Sequence, residues 1–228
     1  MVKKTIVYSI ILARGNSKGI KNKNLKIING RPLIYWSIKQ SLNSKLIKKT
    51  FVSSDSKKIL NYSKKIGAEI INRPFKYANS KTSSETSWLH AIRKLEQSKF
   101  HFDTVLGIQP TSPSREEKDF DKAIKLFRKE KFDTLFSANK TNDTNLWYFK
   151  KNKIFSNYNF KKRKMRQDIN QKFLENGSFY IFDKKKFILK KCRLFGKIGM
   201  YLMKKINSFQ IDDMEDIELI NTVLKNKK

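Results

Sequence analysis

Along the chain, short apolar runs rich in β-branched residues alternate with stretches whose apolar positions recur every three or four residues. Residues 5–12 (TIVYSIIL) form a run suited to a strand buried on both faces. A polar loop over 13–30 comes next, and Pro32 then opens a helical stretch to about Leu42. Residues 51–54 read as a short strand, and Asp55 or Ser56 can cap the helix that carries Ile59, Leu60 and Ile66. Gly67 ends that helix, and 68–71 is the next strand. A helical period covers 83–95, a strand 104–108, a helix 120–129 and a strand 132–138. This alternation predicts an α/β fold with a mostly parallel sheet and helices on both faces.

The rhythm changes after Asn139. Residues 140–175 hold short aromatic β-like pieces and polar turns with little helical period. Strands return at 177–182 and 198–203, and a helix over 215–224 closes the pattern. The expected organisation is a single domain over 1–228, with a small inserted lobe at 140–175. The N-terminal MVKKTIVYSIILARGNSKG resembles a basic region plus a short apolar core, but it has no small-x-small cleavage site and runs directly into Arg14. It reads as a buried first strand rather than a signal peptide. No run of about 18 apolar residues is present, so no membrane-spanning helix is expected. The single Cys192 excludes a disulfide framework and a cysteine-based zinc site, which makes a reducing cytoplasm the expected compartment.

Charge adds a second question. The chain carries 51 Lys plus Arg against 20 Asp plus Glu, a formal net charge of +31. Such a balance raises nucleic acid as a partner. Yet Lys, Ile and Asn together make 86 of 228 residues, a usage that A/T-rich codons would produce, and nine of the basic residues are Arg, the side chain favoured for bidentate phosphate and base contacts. The most basic stretch, 150–205, has 18 Lys or Arg against three acids, with Phe155, Tyr158, Phe160 and Phe173 interleaved. It fits a nucleic-acid surface and equally a solvated lobe of β-hairpins. No zinc-finger, helix-turn-helix or RNA-binding signature accompanies it. Functional cations therefore have to be found by position.

Position singles out IILARGNSKGIKNKNL, residues 10–25. A buried strand runs into a loop with Arg14, Lys18 and Lys23, two glycines and small polar residues. In a parallel α/β sheet, ligands bind beyond the carboxyl ends of strands, where glycines permit close backbone approach and exposed N–H groups can cradle an anion. The spacing is neither a Walker A motif nor G-x-G-x-x-G. An ordinary basic turn is the plainer reading of the same residues.

This loop, with GRPLI at 30–34 after it, resembles the A-R-x-x-S-K-G-x-x-x-K-N signature of the acylneuraminate cytidylyltransferases, the CMP-sialic acid synthetases. Further blocks are similar in the same order: FVSSD (51–55), NRP (72–74) with the Ser83-Ser84 pair, IQPTSPSR (108–115), RQD (166–168), LENGSFYIF (174–182) and FQIDDMED (209–216). The resemblance implies a Rossmann-like, nucleotide-diphospho-sugar transferase-like fold whose inserted lobe dimerises and completes the partner's sugar pocket. The implied reaction transfers CMP from CTP to the anomeric hydroxyl of a 2-keto-3-deoxy sugar acid, with release of pyrophosphate and with Mg²⁺ as cofactor. Such a reaction needs positioning and cations near the attacked phosphate, not a Ser-His-Asp set. His90 and His101 accordingly read as a helix-face and a loop residue.

Carried over by position, Arg14, Ser17, Lys18 and Lys23 would hold the triphosphate, and Asn24, Arg73, Ser83 or Ser84 the ribose and cytosine. Gln109, Arg166, Gln167 and Asn176 would face the sugar acid, and Arg14, Lys23 and Arg166 would carry the chemistry. Asp212 would bind Mg²⁺. From the residues alone, Arg73 is equally a surface arginine before Pro74, Gln109 a strand cap and Asn176-Gly177 a hairpin turn. The acids at 212–216 equally decorate a helix N-terminus.

Four departures from the family pattern bear on substrate and metal. Residues 79–84 read NSKTSS, with Lys81, where an acidic residue usually precedes the serines in a stretch that would face the sugar. Arg193-Leu194-Phe195 stands near Cys192, where some members have an aromatic pair. Gln210 stands where an Asp is common, leaving Asp212 as the matching carboxylate, and Leu174 stands where some members have an arginine. The expected acceptor is a nonulosonic, sialic-acid-like sugar acid. A Kdo-type octulosonate is the alternative within the same class, and a catalytically inactive nucleic-acid-binding protein is the alternative outside it.

Overall fold

A computed structural model of the chain describes residues 5–226, apart from residues 18, 143 and 144 and the side chain of residue 166. The first strand, β1 (Val7–Leu12), leads through the long loop into a small hairpin of β2 (Ile27–Ile28) and β3 (Arg31–Pro32). Helix α1 (Leu33–Leu42) starts directly after Pro32, as expected from its pre-set φ. The next unit is β4 (Ile47–Ser54), α2 (Lys57–Lys65) and β5 (Glu69–Asn72), with Ser56 capping α2 by accepting the Ile59 N–H. Helix α3 (Ser84–Gln97), β6 (Thr104–Ile108), α4 (Asp119–Lys129) and β7 (Thr134–Thr141) continue the alternation.

A hairpin of β8 (Trp147–Lys150) and β9 (Lys153–Ser156) then projects from the domain. The chain returns through β10 (Lys172–Asp183), α5 (Lys184–Lys190), β11 (Ile198–Met203) and α6 (Met214–Lys225).

The seven-stranded sheet has the order β11-β7-β10-β6-β1-β4-β5. Strands β5, β4, β1 and β6 are mutually parallel, β10 runs antiparallel to both β6 and β7, and β11 is parallel to β7. This is the mostly parallel α/β sheet expected. Alternate residues of β1 feed two cores: Val7 and Ile11 pack with α1 and α4 residues such as Ile34, Ile38, Phe120 and Ile124, while Tyr8 and Ile10 pack with Trp88, Ile92, Phe182 and Phe187. Burial of both faces explains why the strand reads as a continuous apolar run. Among the described residues, no helix is long and apolar enough to cross a membrane.

Several boundaries differ from expectation. β4 begins at Ile47 rather than 51, because Ile47, Lys49 and Thr50 already pair with Val7, Tyr8 and Ser9 of β1. β10 begins at Lys172 rather than 177, because residues 172–175 pair with 138–141 of an equally extended β7. The segment outside the main sheet therefore spans 142–171. The register of that pairing shifts between Glu175 and Tyr180, so Asn176-Gly177 is a bulge within one strand, not a hairpin turn. Helix α5, whose cap Asp183 accepts the Lys186 N–H, has no counterpart in the expected pattern.

The topology fixes where a ligand can enter. From β1 the chain moves outward to β4 and β5, then crosses back to place β6 on the other side of β1. The crevice beyond the carboxyl ends of β1 and β6 is the switch point at which open α/β sheets bind ligands. A third apolar cluster, Ile20, Ile28, Leu33, Ile211, Ile217, Ile220 and Leu224, fastens the loop after β1 and the small hairpin to α6. It brings the C-terminal acidic segment to the same crevice.

Candidate active site at the β1–β6 switch point

The loop after β1 is held from three sides. Asn24, itself buried, donates its Nδ2 to the Arg14 carbonyl at 2.9 Å and closes the loop on itself. Asp55, just past the end of β4, accepts the Gly15 N–H at 2.8 Å. Lys23 donates Nζ to the Ile211 carbonyl at 2.7 Å and to Asp212 Oδ1 at 3.0 Å, which ties the loop to the segment before α6. The contact is close: a Cβ at Gly19 would lie 2.6 Å from the Asp212 carbonyl oxygen. Here a glycine is required by backbone approach.

Above this loop is a cavity of about 450 Å³. Arg14, Ser17, Lys23, Asn24, Arg73, Ser84, Gln109 and Asp212 all line it, so eight of the residues singled out in the sequence converge on one wall or another. Tyr77, Ser87 and Thr111 add polar groups that were not anticipated, and Asn79, Ser80 and Thr82 come from the 79–84 stretch that the family resemblance places at the sugar. Most come from the polar stretch before α3, which offers hydroxyls and amides but no motif that separates it from an ordinary loop.

Arg73 lies just past β5, with its N–H on the Ser54 carbonyl at 2.8 Å. Only 3% of it is exposed, and its Nε has no hydrogen-bond partner among the described residues. Burial pushes its pKa down to about 10, partly offset by the Asp55 carboxylate and reinforced by Arg14. It remains charged at neutral pH, a buried cation with donor capacity to spare. Arg14, Lys23 and Arg73 thus give the cavity a cationic lining suited to a polyphosphate.

Several expected residues lie elsewhere. Ser83 is the N-cap of α3, accepting the Thr86 N–H at 3.1 Å, and it is Ser84 that faces the cavity. Asn176 turns inward: its Oδ1 accepts from the Ser137 hydroxyl at 2.7 Å and from the Ser178 N–H at 3.2 Å, so its side chain holds the bulge and does not line the cavity. Gln167 is exposed on the segment between β9 and β10, beside Met165, away from the cavity. Arg166 shares that short 3-10 turn, and its side chain lies outside the described residues, as does Lys18. His90 is buried on α3 and packs tilted against Tyr77, ring centroids 4.7 Å apart; burial, with Lys94, Arg73 and Lys76 nearby, lowers its pKa. It supports a wall residue, while His101 is exposed in its loop.

The acidic segment divides its labour. Asp213 caps α6 by accepting the Asp216 N–H, and Asp216 Oδ2 accepts the N–H groups of Asp212 and Asp213 at 2.7 and 3.0 Å. Both carboxylates serve the helix end. Asp212 is 71% exposed and presents its carboxylate to the cavity beside Lys23. Gln210 is occupied as well, its amide donating to the Asn176 carbonyl and accepting from Thr111 Oγ1. Among the described residues, no group of three or more His, Cys, Asp or Glu could hold a metal ion. The donor set is one hard carboxylate oxygen, which matches Mg²⁺ when phosphates and water supply the remaining ligands.

Comparison with known proteins agrees with this fold. Two solved structures share the fold across nearly the whole chain. One is CMP:2-keto-3-deoxy-manno-octonic acid synthetase complexed with CTP (TM-score 0.73, 12% identity, 98% of this chain and 100% of that one). The other is 4-diphosphocytidyl-2C-methyl-D-erythritol synthase from Anaerococcus prevotii (TM-score 0.71, 16% identity, 98% of each). Among curated relatives, post-translational flagellin modification protein B of Campylobacter coli and CMP-N,N'-diacetyllegionaminic acid synthase of Campylobacter jejuni are each 32% identical over 225 residues, covering 95% of this chain and 94% of theirs. N-acylneuraminate cytidylyltransferase of Escherichia coli O18:K1:H7 is 28% identical over 228 residues, and the chain spans about half of its length (53%). The cytidylyltransferase family model matches residues 8–228, and with it the chain belongs to the cytidylyltransferases.

Proposed function

We propose that this protein transfers CMP from CTP to the anomeric hydroxyl of a nonulosonic, sialic-acid-like sugar acid. A bond forms between that hydroxyl oxygen and the α-phosphorus as the bond from the α-phosphorus to the bridging oxygen breaks; pyrophosphate leaves, and the hydroxyl proton is released to solvent. The observation that carries the reading is the cationic cavity at the β1–β6 switch point, with Arg14, Lys23 and Arg73 on the side of the β1 loop and the uncharged Gln109 at the end of β6. Cations held rigidly around a developing phosphate charge lower the barrier without a nucleophilic side chain. The legionaminic acid synthase of Campylobacter jejuni, 32% identical over nearly the full length of both chains, favours a nonulosonate; the octulosonate enzyme at 12% identity supports the fold alone.

In this reading Arg14, Ser17 and Lys23 bind the triphosphate, joined by Lys18. Arg73 and Ser84 act on the nucleoside side, and Gln109 meets the sugar acid. Mg²⁺ held by Asp212 and substrate phosphates would neutralise charge on the triphosphate. The projecting lobe would pair with a second copy, so that Arg166 and Gln167 complete the partner's sugar pocket. Action in the cytoplasm belongs to the same reading and rests on the single, free, exposed Cys192.

Pyrophosphate release from CTP and Mg²⁺ with a panel of sugar acids tests the proposal. At least one nonulosonate should give turnover. Turnover with octulosonates alone would move the assignment to the Kdo-type reaction. Silence with both classes, alongside tight salt-sensitive DNA binding, would leave the nucleic-acid reading instead.

A further inference from the structure

Seven residues after the end of β6, Arg115 is buried to 4% exposure, and among the described residues no carboxylate is in hydrogen-bond contact with it. All five of its N–H donors are used, and every acceptor is neutral. Nε donates to the Ser178 hydroxyl at 2.6 Å. One terminal nitrogen reaches Ser37 Oγ and Gln40 Oε1 on α1, each at 3.0 Å. The other reaches the carbonyls of Gln109 at 2.5 Å and Ser178 at 3.1 Å. Asp119, the nearby acid, is engaged with Tyr201 and the Glu116 N–H.

A buried charge without an ionic partner is a poor way to add stability, since an apolar side chain of similar size would fill the same space at lower desolvation cost. What a guanidinium alone provides is a planar fork that fixes several acceptors at once. Here the fork joins α1, the β10 bulge and the end of β6. The Gln109 N–H also donates to the Ser178 carbonyl, at 3.2 Å, so the Gln109 backbone is held at both its donor and its acceptor. Its side-chain amide has no hydrogen-bond partner among the described residues and lines the cavity, with Oε1 3.4 Å from where a Gly177 Cβ would stand.

We propose that Arg115 is a positioning residue for acceptor recognition, aiming the Gln109 amide at the sugar acid while leaving CTP binding to the β1 loop. The inference rests on the sugar-facing role of Gln109 in the proposed function. Arg115→Lys keeps the charge and loses the fork.

The test compares wild type, Arg115→Lys, Gln109→Ala and the double variant, measuring CTP affinity by calorimetry and acceptor kinetics by pyrophosphate release with N-acetylneuraminate and N,N'-diacetyllegionaminate. Arg115→Lys should raise the acceptor KM about tenfold and leave the CTP Kd within about twofold. In the Gln109→Ala background it should add nothing, because its effect passes through that amide. Equal weakening of CTP, an unchanged acceptor KM or additive effects would overturn the proposal. If Arg115→Lys fails to fold, Ser178→Ala removes one acceptor of the fork with little change in volume. It should raise the acceptor KM about threefold, and no change there overturns the proposal equally. A wild-type chain that binds CTP but uses neither acid defeats the substrate reading, and this inference with it; an active wild type with an unaffected Arg115→Lys defeats this inference alone.

Discussion

Lys23 and Asp212 meet at 3.0 Å across nearly the whole length of the chain, with the Lys23 side chain 15% exposed and that of Asp212 71% exposed. The pair joins the loop after β1 to the segment before α6, and the Gly19–Asp212 backbone contact beside it leaves no room for a side chain. A cation assigned to the triphosphate and the carboxylate assigned to the metal therefore neutralise each other when no ligand intervenes. Binding of a Mg²⁺–triphosphate would exchange this one contact for two, Lys23 to phosphate and Asp212 to the ion.

Asp212 and Asp216 should separate cleanly by measurement. Asp212→Asn should raise the Mg²⁺ concentration needed for half-maximal pyrophosphate release by about tenfold or more and leave thermal stability little changed, since the Asp212 carboxylate is largely exposed and Lys23 keeps its bond to the Ile211 carbonyl. Asp216→Asn should instead lower stability by about 1 kcal/mol through the capping box, visible as a drop in Tm, with Mg²⁺ dependence near that of wild type. Equal shifts in Mg²⁺ dependence would remove Asp212 as the ligand.

The Arg14 side chain has no such alternative partner among the described residues, and its backbone carbonyl is already fixed by Asn24. Arg14→Ala should therefore leave the loop in place and remove one charge aimed at the phosphates, a loss of about 10²-fold in kcat/KM. Activity within about twofold of wild type would show that the cation acts elsewhere.

Much of this site was legible because it depends on local pattern. The run at 5–12 and the strand at 104–108 are apolar on both faces, and the loop at the carboxyl end of each strand had to face the ligand crevice. The illegible part depends on contacts distant in sequence. Nothing near Asp55 signals that it holds the Gly15 N–H, and nothing near Arg115 signals that Ser37, Gln40 and Ser178 surround it. Asn176-Gly177 has the composition of a hairpin turn, yet Ser137 on the neighbouring strand captures the Asn176 amide and turns it into a bulge. Ser83 and Ser84 are chemically equivalent in the sequence, and only the start of α3 decides that the first caps the helix while the second faces the cavity.

The first turn of α3 carries a pH-dependent support. Glu85 accepts from both Nε and a terminal nitrogen of Arg193, whose guanidinium lies over the Tyr180 ring at 4.9 Å. Burial is the largest single influence and raises the Glu85 carboxyl. The hydrogen bonds from Arg193, from the Glu85 backbone N–H and from Ser83, together with the Arg193 charge, outweigh it and hold the folded-state pKa below the ordinary glutamate value. A carboxyl depressed on folding contributes stability that is fully present above its unfolded pKa, about 4.3, and is lost as pH falls through the lower folded value. Glu85→Gln should lower Tm by several degrees at neutral pH and flatten the acid limb of the stability curve below about pH 4. A variant whose acid limb matched wild type would show that Glu85 contributes nothing to it.

The projecting hairpin of β8 and β9 exposes apolar side chains on both of its faces. Phe149 is 77% exposed and Ile154, its cross-strand partner, 60%, while Tyr148 and Phe155 stack at 5.9 Å on the other side. A two-stranded hairpin with both faces in water is marginal by itself, and apolar area of this kind is ordinarily covered by another surface. With a second copy as the cover, Phe149→Asp should convert a dimer into a monomer in sedimentation or light scattering at micromolar concentration, because it buries a charge at the centre of the contact. CTP binding, which depends on the β1 loop of the same chain, should persist in the monomer. Turnover of the sugar acid should fall by about an order of magnitude if Gln167 reaches the partner's pocket. A wild-type chain that sediments as a monomer would remove the dimer and the shared pocket together, and a monomeric variant with full turnover would remove the shared pocket alone.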